Sequence, residues 1–198
     1  MAGWRVHTSG VTELSIIVFA SSPNKDGLTA ECAEAAAEGI RSAGMTAEIV
    51  YLNDEDIGLC QACARGWGAC REDHYCQVED GFQAVHRRTQ EAEGYVVVSP
   101  VYYGELSESA KAYFDRLRRC EATKGDKSAL AGKPAIGVAA AGGGGGGTVS
   151  CLDQMNRLFS HLRCNVFDLI GVTRKSRPYK PAAIRAAAAA MAASVRKE

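Results

Sequence analysis

Residues 14–29 read LSIIVFASSPNKDGLT, and this stretch decides the fold class. Its first part, Leu14–Ala20, is apolar apart from Ser15 and rich in β-branched side chains, which is typical of a strand buried on both faces of a parallel sheet. A polar turn follows over residues 21–27. Apolar residues then recur at every fourth position: Leu28, Cys32, Ala36 and Ile40. The stretch therefore predicts a strand, a loop and a helix, which together form the repeating unit of a parallel α/β sheet.

Four more apolar runs alternate with helical patterns along the rest of the chain. They occupy residues 45–52, 95–99, 134–141 and 164–172. Five buried strands that alternate with helices predict an α/β fold with a five-stranded parallel sheet and right-handed crossovers. We expect a single domain over residues 1–198, with an N-terminal extension over residues 1–12 and a cysteine-rich insertion over residues 57–80, after the second strand.

Composition and charge exclude several classes of function. Lys plus Arg and Asp plus Glu both number 23, so no excess of charge favours nucleic acid or an anionic membrane. The first residues, MAGWRVHTSGVTEL, lack a basic segment followed by an apolar one, and the longest apolar run is far too short to span a bilayer. We therefore expect a cytoplasmic protein without a signal peptide and without a nucleic-acid or membrane partner.

Three unusual loops directly follow the first, third and fourth predicted strands, at residues 21–28, 100–105 and 142–147. In the strand order 2-1-3-4-5 these strands are neighbours around the point where the order reverses. Ligands of open parallel sheets bind beyond the carboxyl ends of the strands at such a point. We therefore expect the three loops to converge on one ligand site.

The first loop joins a buried strand to the start of a helix, where backbone N–H groups bind phosphate well. An ordinary turn capped by Asp26 or Thr29 is the alternative, but Gly27 and the two converging loops favour phosphate. The GK[ST] ending of a nucleoside-triphosphate loop is absent.

The other two loops suit a flat ligand. Tyr102 and Tyr103 lie just after a strand end, where aromatic rings and free backbone amides fit a heterocycle with polar edges. Tyrosines that simply pack on the core are the alternative. Gly142–Gly147 allow a ligand close to the backbone; a disordered spacer is the alternative, although flexible linkers seldom lie between a buried strand and an amphipathic helix.

Four of the eight cysteines fall within CQACARGWGACREDHYC, residues 60–76. Thiolates this close in sequence usually share a metal ion or a cluster, and in a reducing compartment they serve metals more often than disulfides. Structural zinc, His74 in place of one thiolate, and free thiols without a metal remain open. We assign the remaining cysteines to apolar packing. Three arginines near a helix end suit the helix macrodipole: Arg116, Arg118 and Arg119.

The segments SSPNKDGLT (21–29) and SPVYYGELSESAKAYFDRL (99–117), with the glycine-rich turn after the fourth strand, resemble the NADPH-dependent FMN reductase family of flavodoxin-like proteins. The resemblance covers roughly residues 13–175. Cysteines before the second helix make the chain most similar to the iron–sulfur flavoprotein branch. The implied fold is a flavodoxin-like sheet of order 2-1-3-4-5 with helices on both faces, and the implied assembly is a homodimer or homotetramer.

The resemblance also implies FMN, bound non-covalently. Its phosphate would be held by Ser22, Asn24 and Thr29 and by the backbone of Leu28. Tyr102 and Tyr103 would control access to the flavin face, and they are the candidate catalytic residues. The isoalloxazine would be lined by Pro100, Val101, Tyr102, Tyr103 and Gly104, and at its other edge by Ala141, Gly142 and Gly143. The family often has Arg in place of Asn24 and Asn in place of Leu28, a departure that bears on phosphate binding.

In the iron–sulfur branch the usual spacing is CxxCxxC with a fourth cysteine several residues later. Gly66 stands at the expected third position, and Cys70, four residues later, is the available substitute. The resemblance implies a [4Fe–4S] cluster on four thiolates, although the altered spacing leaves cluster type and occupancy open. The candidate ligands are Cys60, Cys63, Cys70 and Cys76.

We therefore expect an FMN-dependent, NAD(P)H-linked oxidoreductase that passes electrons through FMN and a [4Fe–4S] cluster to a small acceptor, such as a quinone or another electrophile. The first alternative is an electron carrier between partner proteins, with a ferredoxin-like donor and no substrate of its own. The second is a flavodoxin-like domain with structural zinc.

Overall fold

The computed structural model describes residues 14–196, so the extension expected over residues 1–12 lies outside the described range. The chain forms a five-stranded parallel sheet of order 2-1-3-4-5, which confirms the fold expected from the sequence. The strands are β1 (Ser15–Ala20), β2 (Thr46–Tyr51), β3 (Gly94–Pro100), β4 (Pro134–Ala141) and β5 (Asn165–Thr173). The helices are α1 (Leu28–Ser42), α2 (Phe82–Glu91), α3 (Glu108–Glu121), α4 (Thr148–His161) and α5 (Lys180–Val195). Over residues 14–196, no helix combines the length and apolar character needed to cross a membrane.

Alternate side chains of each central strand enter two separate cores. In β1, Ile16 and Val18 pack with α1 and α5, whereas Ile17 and Phe19 pack with α2, α3 and α4. Both faces of the sheet are therefore covered, which is why β1 is apolar at five consecutive positions, Ile16–Ala20, rather than at every second one. Burial of each such side chain stabilises the fold by about 1.5–3 kcal/mol, so the sheet is a firm base for the loops at its carboxyl edge.

Helices α1 and α5 lie in close contact on one face of the sheet. A Cβ on Gly39 would lie only 2.2 Å from the backbone oxygen of Arg185. On α5, Ala188 and Ala192 are fully buried. The alanine-rich end of the chain therefore forms a packed helix, as its strong helix propensity predicts.

Helix α3 spans the opposite face and is fixed there by aromatic side chains. Tyr113 and Phe114 of α3 contact Phe19 of β1, and Tyr113 also contacts Phe82 of α2, with ring centroids 5.3–5.6 Å apart. Such tilted and edge-on pairs contribute about 0.5–1.5 kcal/mol beyond the area they bury. The start of α3 thus lies at the carboxyl edge of the sheet, and its second half lies beside the insertion that follows β2.

Candidate functional site

The loops after β1, β3 and β4 meet at the carboxyl edge of the sheet, as the sequence predicts. Ser107 Oγ donates a hydrogen bond to the backbone oxygen of Ser21, at 2.8 Å. Ser150 Oγ donates to the backbone oxygen of Gly104, at 2.9 Å. A Cβ on Gly147 would lie 2.5 Å from Gly104 Cα, so the second and third loops touch through their backbones.

The loop after β1 leaves the start of α1 without a side-chain cap. The N-cap residue is Gly27, and no side chain bonds to the first turn; the alternative of a cap by Asp26 or Thr29 is therefore wrong. The amide of Glu31 bonds to Gly27 O at 3.0 Å, as the first regular helical bond. An uncapped helix start presents free N–H groups and the positive end of the helix dipole, which suits a phosphate.

The predicted phosphate ligands lie along this loop. Ser22 is half-buried and its Oγ accepts from the amide of Asn24 at 3.2 Å. Asn24 is exposed, and its side chain accepts from the amide of Asp26 at 3.4 Å. Thr29 is buried in the first turn of α1. Lys25 instead forms an ion pair with Asp54, in the segment after β2.

A tight turn at residues 102–105 raises two tyrosines from the edge of the sheet. Tyr102 and Glu105 exchange backbone hydrogen bonds of 3.1 and 2.9 Å. The central residues, Tyr103 and Gly104, both have positive φ, 52° and 84°, which costs a tyrosine roughly 1–3 kcal/mol. Tyr103 is fully exposed and Tyr102 is 38 % exposed, so the alternative of tyrosines packed into the core is wrong.

The glycine loop after β4 has one side open and the other side anchored. A Cβ built on Gly142, Gly143, Gly144 or Gly146 would meet no atom within 4 Å. The far end is tied down, because Thr148 Oγ1 donates to Gly145 O at 2.7 Å. The amide of Arg174 donates to Gly143 O at 3.4 Å. These hydrogen bonds give the glycine loop a defined path, whereas the alternative interpretation was a disordered spacer.

The four clustered cysteines line one small cavity of about 20 Å³ beside α3. All eight cysteines of the chain are free thiols, and the four in this loop are half-buried. Cys70 and Cys76 also pack against the hydrophobic core. His74 lies outside the cavity lining, with its Nδ1 3.1 Å from Thr123 Oγ1. Across residues 14–196, no three Cys, His, Asp or Glu side chains are gathered closely enough to share a metal ion.

The donor set of this cavity fits a four-thiolate centre, because four thiols face one space beside the guanidinium groups of Arg116 and Arg119. A cavity of about 20 Å³ has room for one water molecule, so ligation by all four thiols requires the loop to rearrange. The loop backbone is strained at four positions with φ between 45° and 66°. Such strain is typical of ligand clamps. The strained residues are Ala62, Ala64, Arg65 and His74.

Sequence reasoning missed two polar groups that shape the site. Ser107 caps α3, accepting from the amide of Ala110, and also bonds to the loop after β1. Arg116 is 1 % exposed and contacts the cysteine loop, so its assignment to the helix macrodipole is wrong. Its burial could have been predicted from its position on the helix, because Arg116 lies between Tyr113 and Cys120 on the buried face of α3.

A buried carboxylate fixes the end of α3 to α2. Glu121 accepts hydrogen bonds from His86, Gln90, Lys124 and Ser128, at 2.5–2.8 Å. Burial alone would raise the pKa of Glu121, but these donors stabilise the charged form and bring its pKa to about 2. The second half of α3, beside the cysteine cavity, is therefore held by a charged network as well as by apolar packing.

Comparisons with known proteins agree with this geometry. The family model for NADPH-dependent FMN reductase matches residues 14–173. An iron–sulfur flavoprotein of Methanosarcina thermophila is 31% identical over 109 residues, which cover 54% of this chain and 55% of the relative. An iron–sulfur flavoprotein of Methanocaldococcus jannaschii is 27% identical over 126 residues, which cover 64% of this chain and 63% of the relative. The chain thus spans little more than half the length of these curated relatives.

Among solved structures, the NAD(P)H:quinone oxidoreductase from Methanothermobacter marburgensis aligns with a TM-score of 0.68. The alignment covers 89% of this chain and 95% of that one, at 19% identity. At this identity the likeness shows the shared fold.

Proposed function

Since the chain belongs to the NADPH-dependent FMN reductase family, we propose that it is an FMN-dependent oxidoreductase that takes electrons from NAD(P)H and passes them through FMN and an iron–sulfur centre to a small acceptor such as a quinone. The observation that carries the proposal is the meeting of three loops around an uncapped helix start. Helix α3 leads from those loops to the cavity lined by four thiols.

The residues at the carboxyl edge fit FMN in both of its parts. Ser22, Asn24, Thr29 and the free amides at the start of α1 would hold the phosphate. The loop over residues 100–104 and the open backbone of residues 141–143 would line the isoalloxazine. When bound, FMN accepts a hydride and can release electrons one at a time.

The chain's own residues would control access to that cofactor. Tyr103 is held on the outside of a strained turn, where its ring can shield the flavin face from water. Tyr102 lies on the same turn and is partly exposed. We assign the two tyrosines the role of a gate through which a nicotinamide or a small acceptor enters.

The cysteine cavity would hold the second centre. A [4Fe–4S] cluster needs four thiolates, and this cavity offers four thiols beside the buried cation of Arg116. Zinc also suits four thiolates, so analysis of iron and sulfide decides between the two metal centres.

The test is an anaerobic absorption spectrum of freshly purified protein, with FMN, iron and sulfide measured on the same sample and reduction by NADH and NADPH followed in the same cell. Flavin absorption over a broad shoulder, with iron and sulfide present and bleaching by NAD(P)H, supports the proposal. The substitution Cys63→Ser should remove the shoulder and leave the FMN. The matched control Cys32→Ala changes a buried cysteine of α1 outside the cavity and should keep both. A yellow protein without iron would contradict the iron–sulfur part alone.

A second candidate is an electron carrier between proteins, for which the surface of the cysteine loop provides an argument. Leu59, Trp67 and Tyr75 are 69 %, 37 % and 48 % exposed, and exposed apolar side chains near a redox centre suit a protein partner. Slow turnover with NAD(P)H and a quinone, together with fast exchange with a ferredoxin-like donor, would favour this candidate over the oxidoreductase.

A further inference from the structure

Arg116 uses every N–H group of its guanidinium on the cysteine loop. A guanidinium has five N–H donors. Its Nε donates to Cys76 Sγ at 3.3 Å, and Nη1 donates to Gly58 O at 3.0 Å and to Asp80 Oδ2 at 2.6 Å. Its Nη2 donates to Val78 O at 3.0 Å and to Asp80 Oδ1 at 2.9 Å. One side chain of α3 thus joins the beginning of the loop to its end.

The surroundings of Arg116 make this arrangement rigid. The side chain is 1 % exposed, and its guanidinium carbon lies 4.4 Å from the ring centroid of Phe82. Burial alone would lower the pKa of Arg116, but the bonds to Asp80 and Cys76 outweigh that effect and raise it. Arg116 therefore stays positively charged although it is buried. Its bidentate hydrogen bonds to the Asp80 carboxylate set the plane of the guanidinium.

Arg116 also makes one of the four loop cysteines different from the others. Within residues 14–196, no other side chain donates a hydrogen bond to Cys60, Cys63, Cys70 or Cys76. A charged donor at 3.3 Å fixes the position of Cys76 Sγ. Cys76 is consequently placed before any metal arrives.

We propose that Arg116 is the positioning residue of the thiolate centre: it holds Cys76 Sγ as the preformed ligand, and the remaining three cysteines close the loop onto it. The inference rests on the proposed role of the four-cysteine loop as a metal site. It adds a residue outside the cysteine motif, contributed by helix α3, on which the geometry of the centre depends.

Arg119 is a natural control, because it lies one helical turn further on and also contacts the loop. Its Nη1 donates to Gly66 O at 2.5 Å, and its guanidinium lies 4.8 Å from the ring centroid of Trp67. Among the described residues it donates to no sulfur atom. Loss of Arg119 therefore removes one attachment of the loop to α3 but leaves the bond to Cys76 in place.

Lysine cannot replace Arg116 in this role. An ammonium group has three donors in no fixed plane, whereas the observed contacts use five donors in one plane. Arg116→Lys keeps the charge and loses the geometry, while Arg116→Gln loses both. Comparison of the two variants separates the effect of charge from that of positioning.

The experiment uses the full-length protein with FMN bound, freed of metal and titrated anaerobically with Co²⁺. Thiolate-to-cobalt charge-transfer absorption reports how many thiolates bind the ion. We expect Arg116→Gln to weaken Co²⁺ binding about 10–100-fold, as is usual when a partner of a metal ligand is lost. The charge-transfer intensity should fall by about one quarter, because one thiolate of four is misplaced. Arg116→Lys should recover affinity only in part, and Arg119→Gln should keep the wild-type intensity.

The outcomes separate this inference from the proposed function. Wild-type protein without thiolate-to-cobalt absorption would overturn the metal site and the inference with it. Wild-type intensity and affinity in Arg116→Gln would overturn the inference while the metal site stands, even if the variant unfolds at a lower temperature. In a Cys76→Ser background, Arg116→Gln should have no further effect on Co²⁺ binding; an undiminished effect there would show that Arg116 does not act through Cys76.

A variant that keeps Arg116 guards against a failure of Arg116→Gln to fold, which loss of FMN fluorescence quenching would reveal. Asp80→Asn removes the charge that orients the guanidinium and leaves the arginine in place. We expect Asp80→Asn to lower the Co²⁺ affinity and the charge-transfer intensity in the same direction as Arg116→Gln, but by less. A Co²⁺ titration of Asp80→Asn identical to that of the wild type would overturn the inference.

Discussion

Replacement of Gly147 by alanine tests whether the second and third loops form one FMN site. Gly147 has a φ of 80°, and a Cβ at this position would lie 2.5 Å from Gly104 Cα and 2.9 Å from Gly104 N. Both neighbours are backbone atoms, so no side chain can rotate away to make room. The substitution must therefore move one loop relative to the other.

The structure sets the size of the effect. Alanine in the left-handed region costs about 1–2 kcal/mol, and the contact with Gly104 adds to this cost unless the loops separate. Since each 1.4 kcal/mol is a factor of ten in affinity, separation of the loops at a cost of this size should weaken FMN binding about 5–30-fold. Gly146→Ala is the matched control, because a Cβ on Gly146 would meet no atom within 4 Å.

The assay is titration of cofactor-free protein with FMN, followed by the quenching of flavin fluorescence, with urea unfolding of both variants alongside. We expect the FMN dissociation constant of Gly147→Ala to rise by that factor and that of Gly146→Ala to stay near the wild-type value. If a folded Gly147→Ala variant binds FMN as tightly as Gly146→Ala, the two loops do not act together on the cofactor and the placement of the site is wrong.

Three further predictions concern the cysteine loop and its support. Cys70→Ser should remove bound iron but leave FMN at full occupancy, as absorption and metal analysis would show; loss of FMN as well would contradict two separate sites. The strain of Ala64, with a φ of 46°, predicts that Ala64→Gly raises the free energy of unfolding of the metal-free protein by about 1 kcal/mol, and an unchanged or lower value in urea unfolding would contradict it. The folded pKa of Glu121 is about 2, below its ordinary 4.5, so its carboxylate contributes about 3 kcal/mol that is present above pH 4.5 and is lost as the pH falls towards 2. Glu121→Gln should accordingly unfold more easily at pH 7 and show a flatter pH dependence below 4.5 than the wild type; equal slopes would refute this account.

The sheet was predictable because its signals are local. Each residue of β1 from Ile16 to Ala20 enters one of two cores, so these five positions form an unbroken apolar run, and helices of period 3.6 separate the runs. Once the strand order was inferred, the convergence of the loops followed from topology alone. The contact between Gly104 and Gly147 is a direct consequence of that order.

The cysteine loop was predictable only in its chemistry. Arg116 is fixed by partners 36–58 residues earlier in the chain, and no periodic pattern reports a contact over that distance. In the sequence, an arginine near the C-terminal end of a predicted helix suggests an interaction with the helix dipole. Only the fold shows that the side chain of Arg116 is buried. The start of α1 is a similar case, because Asp26 and Thr29 both suit a cap and the chain uses Gly27 instead.

Helix α3 connects the two parts of the candidate site. Ser107 at its start bonds to the loop after β1, and Arg116 holds the cysteine loop nine residues later; at 1.5 Å per residue these points lie about 14 Å apart along the axis. The aromatic contacts of Tyr113 and Phe114 and the network of Glu121 fix the helix between and beyond them. The insertion after β2 is thus attached to a helix rather than to the strands. Its sequence and spacing can therefore change without disturbing the sheet, while the distance between the two proposed redox centres within one chain stays set by α3.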